Sequence, residues 1–200
     1  MYSRVVKFKY GVALTGGIAT GKSSASAILK ELGFEIVDAD KIAHSILDRE
    51  FIAIGKLFGK KYIKDDNSIN RKELGKLIFN NKRAKEKLEN FIHPLIYKEI
   101  TDIADRFDRL KKRYILDIPL FFETNRYRVD RVIVVYTPRD IQLQRLIKRD
   151  KISKEEALAR LNAQIDIEEK KRLATYIIDN SGDFKNLEKE TKRVAKILTD

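Results

Sequence analysis

Cysteine and tryptophan are missing altogether from these 200 residues, and there are only two histidines, three prolines and one methionine. Without cysteine the chain has no disulfide framework and no thiolate metal site. His44 and His93 alone argue against a zinc centre. Long apolar runs are missing too, and nothing approaches the roughly 18 residues needed to span a bilayer. The opening M-Y-S-R-V-V-K-F-K-Y-G is too short and too interrupted by charge for a signal peptide. The expectation is a cytoplasmic protein with no membrane partner, one domain with an elaboration, monomeric or weakly homo-oligomeric. No internal repeat, low-complexity tract or interdomain linker is evident.

Charge is present in excess of one sign, +12 net. The lysines are nevertheless interleaved with glutamates, as in 82–87 and 188–196, the pattern of a solvated surface and not of a basic block. No nucleic-acid-binding motif accompanies them, so no nucleic-acid partner is expected.

Gly16-Gly17-Ile18-Ala19-Thr20-Gly21-Lys22-Ser23 fits the phosphate-binding pattern G-x-x-x-x-G-K-[ST]. Glycines let backbone N–H groups turn inward around phosphate oxygens. A helix directly behind presents its unpaired N–H groups to the anion. Lys22 reaches the outer phosphates, and the Ser23 hydroxyl suits the accompanying Mg²⁺. The flanks agree: Tyr10–Thr15 reads as a buried strand, and Ser24–Leu32 carries Ala25, Ile28, Leu29 and Leu32 at helical spacing before Gly33.

Further hydrophobic runs at Glu35–Val37, Tyr114–Ile118, Arg131–Tyr136 and Thr175–Ile178 read as buried parallel strands, β-branched residues dominating several of them. Helical patterns separate them, which predicts an α/β fold: a three-layer α/β/α core around a five-stranded parallel sheet. The interval between the second and third strands is far longer than one crossover needs. It reads as a helical insertion with a helix capped at Asn70 and another opened by His93-Pro94. After the fourth strand, Thr137-Pro138-Arg139-Asp140 reads as a cap and helix start, placing Gln142, Arg145 and Arg149 on one face. Ser153 caps a following helix that carries Arg160 and Gln164 along with Leu158, Leu161 and Ile165. This arginine-rich pair reads as a lid, or as an ordinary exposed helical pair. Asp183–Leu198 reads as a closing amphipathic helix. The expected division is core (1–40, 111–138, 167–200), helical insertion (41–110) and lid (139–166).

Phosphoryl transfer needs cradled phosphates, neutralised charge and a positioned acceptor hydroxyl. Asp38 and Asp40 follow the second strand, at the sheet edge where ligands of open α/β folds collect. Either carboxylate can serve a metal, accept a hydroxyl proton or cap a helix; Asp40 is the preferred base. Asp117, ending Tyr114-Ile115-Leu116-Asp117, is a candidate for supporting Mg²⁺. Arg145 and Arg149 suit the charge that builds on the transferring group. Arg71 and His93 can meet a phosphate or hydroxyl of the acceptor, and His93 can equally be a helix cap beside Pro94.

Taken together, A-L-T-G-G-I-A-T-G-K-S-S, I-V-D-A-D-K-I-A-H, I-N-R-K-E-L-G-K-L-I-F, F-I-H-P-L-I, D-I-P-L-F-F-E, L-I-K-R-D and Y-I-I-D-N-S-G resemble, in order and over nearly the whole chain, the dephospho-CoA kinase family. The resemblance implies ATP-dependent phosphorylation of the ribose 3′-hydroxyl of dephospho-CoA, the last step of coenzyme A synthesis, with Mg²⁺. Its motifs place the base at Asp40, with Lys22 and Arg145 also catalytic. ATP contacts fall on Gly17, Ile18, Ala19, Thr20, Gly21, Lys22, Ser23, Ser24 and Arg149. Acceptor contacts fall on Thr15, Asp38, Asp40, Arg71 and His93. The chain departs from the family at Ala19, where glycine is common and a methyl group restricts the backbone, and at Phe121-Phe122, where paired leucines are usual.

Three rivals have their own signatures. A regulatory GTPase needs an N-K-x-D motif, which Asn81-Lys82-Arg83-Ala84 does not supply. A kinase of another nucleoside or nucleotide would share core and lid and differ in the insertion. A nucleic-acid-binding protein would bind bulk RNA with a steep dependence on salt.

Overall fold

The computed structural model describes residues 8–199; most of the opening stretch weighed as a leader lies outside them. Five strands form the sheet: β1 (Gly11–Gly16), β2 (Glu35–Asp38), β3 (Tyr114–Asp117), β4 (Val132–Tyr136) and β5 (Tyr176–Asp179), in the order β2-β3-β1-β4-β5. β1 is central and parallel to both neighbours, with Val12 beside Ile115 and Thr15 beside Val134; β5 runs parallel to β4. All six residues of β1 are buried, which accounts for its run of small and aliphatic side chains. The connection leaving β1 runs to β2 on one side of the sheet, whereas the one leaving β3 crosses β1 to β4 on the other, so the crevice for a ligand opens between the carboxyl ends of β1 and β3.

Between the strands stand α1 (Lys22–Glu31), α2 (Ala39–Arg49), α3 (Phe51–Phe58), α4 (Arg71–Asn80), α5 (Lys82–Arg109), the single turn α6 (Phe121–Thr124), α7 (Arg139–Asp150), α8 (Lys154–Asn162), α9 (Ile167–Leu173) and α10 (Phe184–Thr199). The chain divides into two compact units, one holding the residues up to Val37 and from Ala104 onward, the other Asp38–Ile103. In the first unit, Val12 and Leu14 on one face of β1 pack with Ala25, Ile28 and Leu29 of α1 and with Leu187, Val194 and Leu198 of α10. The period of two in the strand and of three to four in the helices puts these side chains on facing surfaces. The second unit holds α2, α3, α4, most of α5, a 3-10 turn at Lys60–Tyr62 and a short antiparallel bridge, Ile63 with Ile69. Its buried residues include Ile46, Ile54, Tyr62, Leu74, Leu88, Ile92 and Ile96.

Four local expectations are corrected. α1 starts at Lys22 and not Ser24, because Gly21 in the left-handed region (φ 88°) turns the chain straight into the helix. His93-Pro94 does not open a helix: Pro94 lies inside the 28-residue α5. That helix starts at Lys82, where Asn81 Oδ1 accepts from Ala84 N–H at 3.0 Å. An interior proline costs about 3 kcal/mol. Buried Leu88, Ile92, Ile96 and Ile100 run through it on one side, and that burial carries the helix past the break. Thr137 does not cap α7; Pro138 stands at that position and Thr137 is fully buried. Finally, α8 ends at Asn162, so Gln164 and Ile165 lie in the turn beyond it. The expected caps at Asn70 and Ser153 are found, each accepting from the N–H three residues on.

Candidate functional site

The phosphate-loop segment leaves β1 at Gly16 and enters α1 at Lys22. Two of its residues take left-handed backbone, Ala19 (φ 61°) and Gly21 (φ 88°). At Gly21 a side chain is excluded twice over: by φ, and by Asn180 Nδ2, which sits 2.2 Å from where a Cβ would stand. α1 has no side-chain cap at its N-terminus; the N–H groups of Ser24 and Ala25 donate to Gly21 carbonyl at 3.0 and 3.1 Å, and those of Lys22 and Ser23 ahead of them suit an anion.

The loop is held from behind by side chains that come from the far half of the sequence. Thr20 carbonyl oxygen accepts from Asn180 Nδ2 at 2.8 Å and from Thr137 Oγ1 at 3.2 Å. Thr20 Oγ1 donates to Gly17 carbonyl at 2.9 Å. Gln142, buried, donates from Nε2 to Thr137 carbonyl at 2.8 Å. Ile18 N–H donates to Gln164 Oε1 at 2.8 Å, and Lys170 Nζ donates to Gly16 carbonyl at 3.0 Å. The buried side chains of Thr20, Thr137, Gln142, Lys170 and Asn180 are thus each hydrogen-bonded, which helps to keep such a loop in one conformation.

Of the residues singled out from sequence, the first unit brings together the loop (Gly17 to Ser24), Thr15, Asp117 and Arg145. Lys22 Nζ forms an ion pair with Asp117 Oδ1, the carboxylate at the end of β3. Thr15 Oγ1 donates to Pro119 carbonyl at 2.9 Å. Arg145 reaches Thr137 Oγ1 from Nη1 and Gly182 carbonyl from Nη2, both at 3.3 Å. Arg149 is turned to Asp150 (Nε to Oδ1, 2.7 Å), which also pairs with Arg160 at 2.8 Å. The Arg149 hydrogen bond, then the nearby Arg149 and Arg160 charges, hold the Asp150 carboxyl below its ordinary value. Ser23 and Ser24 are exposed in the first turn of α1.

The second unit holds Asp38, Asp40, Arg71 and His93. Asp38 is the N-cap of α2, its Oδ1 accepting from Lys41 N–H at 3.0 Å. Asp40 is exposed in the first turn of the same helix. Cap and candidate base are thus different residues, a choice the sequence left open. Arg71 begins α4 and forms an ion pair with Asp48 of α2. His93 is half-buried in the middle of α5.

Sequence reasoning did not single out Asn180, Lys170 or Glu123 as site residues. Asn180 follows β5 at the ligand-bearing edge of the sheet, a placement that could have marked it. Lys170 sits in E-E-K-K-R and has the look of a surface lysine, yet it has no exposure. α9, which carries it, is anchored by Glu168, whose carboxylate accepts from Tyr136 hydroxyl at 2.6 Å. That bond, with burial, pushes the phenol up to about 12.

The sequence profile of the dephospho-CoA kinase family matches residues 10–186. A dephospho-CoA kinase of Sulfurimonas denitrificans is 48% identical over 183 residues, covering 92% of this chain and 91% of its own. One from Helicobacter pylori strain J99 is 45% identical over 193 residues, covering 95% and 98%. A solved dephospho-CoA kinase structure from Campylobacter jejuni is 40% identical with a TM-score of 0.74, covering 96% of this chain and 98% of its own. A solved Thermus thermophilus protein is 29% identical with a TM-score of 0.79, covering 95% and 98%. With a phosphate loop formed at the central strand and kinship over nearly its full length, this chain belongs to the dephospho-CoA kinase family.

Proposed function

We propose that the protein transfers the γ-phosphoryl group of ATP to the ribose 3′-hydroxyl of dephospho-CoA, giving coenzyme A and ADP, the final step of coenzyme A synthesis. The observation that carries the phosphoryl-donor half is the ordered loop Gly16–Ser23 with its uncapped helix end; family membership supports the acceptor.

In this reading Gly17 to Ser24 surround the triphosphate, the N–H groups of Lys22 and Ser23 at the head of α1 facing it, and Lys22 exchanges Asp117 for phosphate oxygens. Arg145 stands ready to balance charge on the transferring group, and Arg149 joins the nucleotide once released from Asp150. Asp40 accepts the proton of the acceptor hydroxyl while Asp38 holds the helix that presents it. Thr15, Arg71 and His93 complete the acceptor contacts, Arg71 by leaving Asp48 for a phosphate. Residues 41–110 serve as the acceptor-binding insertion and 139–166 as the lid.

Mg²⁺ fits the residues present. Among the described residues no group of three or more His, Asp or Glu side chains forms a cage for a metal, as expected of an ion carried in mainly by nucleotide phosphates and water. The Ser23 hydroxyl at the start of α1 would hold it, with Asp117, now paired with a cation, beside it. Its chemistry there is to neutralise charge on the β- and γ-phosphate oxygens.

Purified protein is expected to convert dephospho-CoA and MgATP to coenzyme A and ADP. Turnover of ordinary nucleosides or nucleoside monophosphates with dephospho-CoA ignored would overturn the acceptor. Asp40→Asn should lower kcat about 10²- to 10⁴-fold with KM for ATP nearly unchanged; an unchanged kcat removes Asp40 as the base.

A further inference from the structure

The turn between α8 and α9 reaches the phosphate loop. Gln164, half-buried, places Oε1 2.8 Å from the N–H of Ile18, the third loop residue, 146 positions away in sequence. Next to it, Ile165 N–H donates to Glu123 Oε1 at 3.2 Å, and that same oxygen accepts from Lys170 Nζ at 2.6 Å. Lys170, with no exposure, also donates to Gly16 carbonyl at 3.0 Å. The peptide units on both sides of Gly17 are therefore held from one short stretch, 164–170. The space beside Gly17 is closed as well: Gln142 Oε1 stands 2.6 Å from where a Cβ would be.

Packing alone does not explain this. A buried lysine–glutamate pair is often no better for stability than apolar side chains of similar volume, but it fixes orientation. What it orients here is the backbone that carries Gln164. The choice of an amide has a physical reason too. It accepts the Ile18 hydrogen bond without placing a negative charge where phosphates are to bind, as a carboxylate would.

We propose that Gln164 is a positioning residue of the ATP site, presetting the Ile18 peptide so that the loop is ready for the triphosphate, with Lys170 and Glu123 holding the Gln164 backbone in register. This rests on the ATP reading of the loop given above. The acceptor is bound by other residues, so the effect falls on the nucleotide.

The test uses the full chain with Gln164→Met, similar in length and without the amide oxygen. MgATP binding is measured by calorimetric titration without acceptor, alongside kcat, both KM values, Tm and hydrogen-exchange protection of the Ile18 amide. MgATP should bind about 5- to 15-fold more weakly, the effect of one lost hydrogen bond, with KM for dephospho-CoA within about twofold and Tm nearly unchanged. Ile18 should lose protection. Unchanged MgATP affinity, or a protected Ile18 amide, overturns the proposal. If Gln164→Met lowers Tm, Gln164→Ala must give the MgATP defect at the unsubstituted protein's Tm; both KM values rising together with a falling Tm means a merely structural role and overturns it. Unsubstituted protein that binds MgATP but ignores dephospho-CoA sinks the acceptor assignment and leaves this test standing, whereas failure to bind MgATP at all sinks both.

Discussion

Ala19 shows what one side chain does to a phosphate loop. The methyl group was expected to restrict the backbone, and the structure gives the form: φ is 61°, where glycine is at ease and alanine is not. The left-handed region costs a non-glycine residue about 1–2 kcal/mol. Against that, the Ala19 methyl packs on the cluster of Leu146, Ala157 and Leu161, a contact worth at most about 0.8 kcal/mol for one methyl-sized group. Strain therefore wins. Ala19→Gly should raise Tm by about 1–4 °C, taking about 2–4 °C per kcal/mol for a chain of this size. Differential scanning calorimetry checks it, and a fall of several degrees would show that the methyl contact dominates.

Among the elements, the α7–α8 pair rests on a small apolar cluster. Its apolar core among the described residues is Leu146, Ala157 and Leu161, flanked by Leu143, Ile147 and Ile152, with Ile18 and Ala19 of the loop packed against it. Leu146 is fully buried, so Leu146→Ala leaves a cavity costing about 3 kcal/mol. Because loop residues share the cluster, MgATP affinity should fall with stability. Thermal melts and nucleotide titration on one sample test this, and an unaltered affinity in a destabilised variant would separate the pair from the loop. The caps of α4 and α8 were legible because an Asn or Ser three residues before a glutamate is a local signal. Pro94 misled for the converse reason: a proline says where a hydrogen bond is missing, while burial along Leu88, Ile92, Ile96 and Ile100 decides whether the helix survives it. Thr137 was read as a cap from its neighbours, but its hydroxyl belongs to a contact with Thr20 and Asn180, partners 117 and 43 positions distant.

At the scale of the whole molecule, ligand binding and stability are linked. A nucleotide that binds the folded chain alone adds about 2.7 kcal/mol at a hundred times its dissociation constant. For a protein of this length that is a rise in Tm of about 5–10 °C. MgATP should give such a shift, and Lys22→Ala should shrink it; a full shift in that variant would count against the loop as the nucleotide site.

The sequence by itself determined the parallel α/β core, the loop and most of its residues, since these rest on short-range patterns: aliphatic runs, helical spacing, and glycine, lysine and serine in fixed register. It also carried the family, whose motifs lie in order along the chain. The tertiary structure decided which carboxylate caps α2 and which stands exposed beside it, where the loop strain sits, and that Lys22 rests on Asp117. It alone turned Lys170 from a charge in a basic run into a fully buried hydrogen-bond donor to Gly16, and placed Gln164 on Ile18. Those contacts join residues about 150 positions apart, and no local pattern encodes a hydrogen bond that exists only after the sheet has brought its carboxyl ends together.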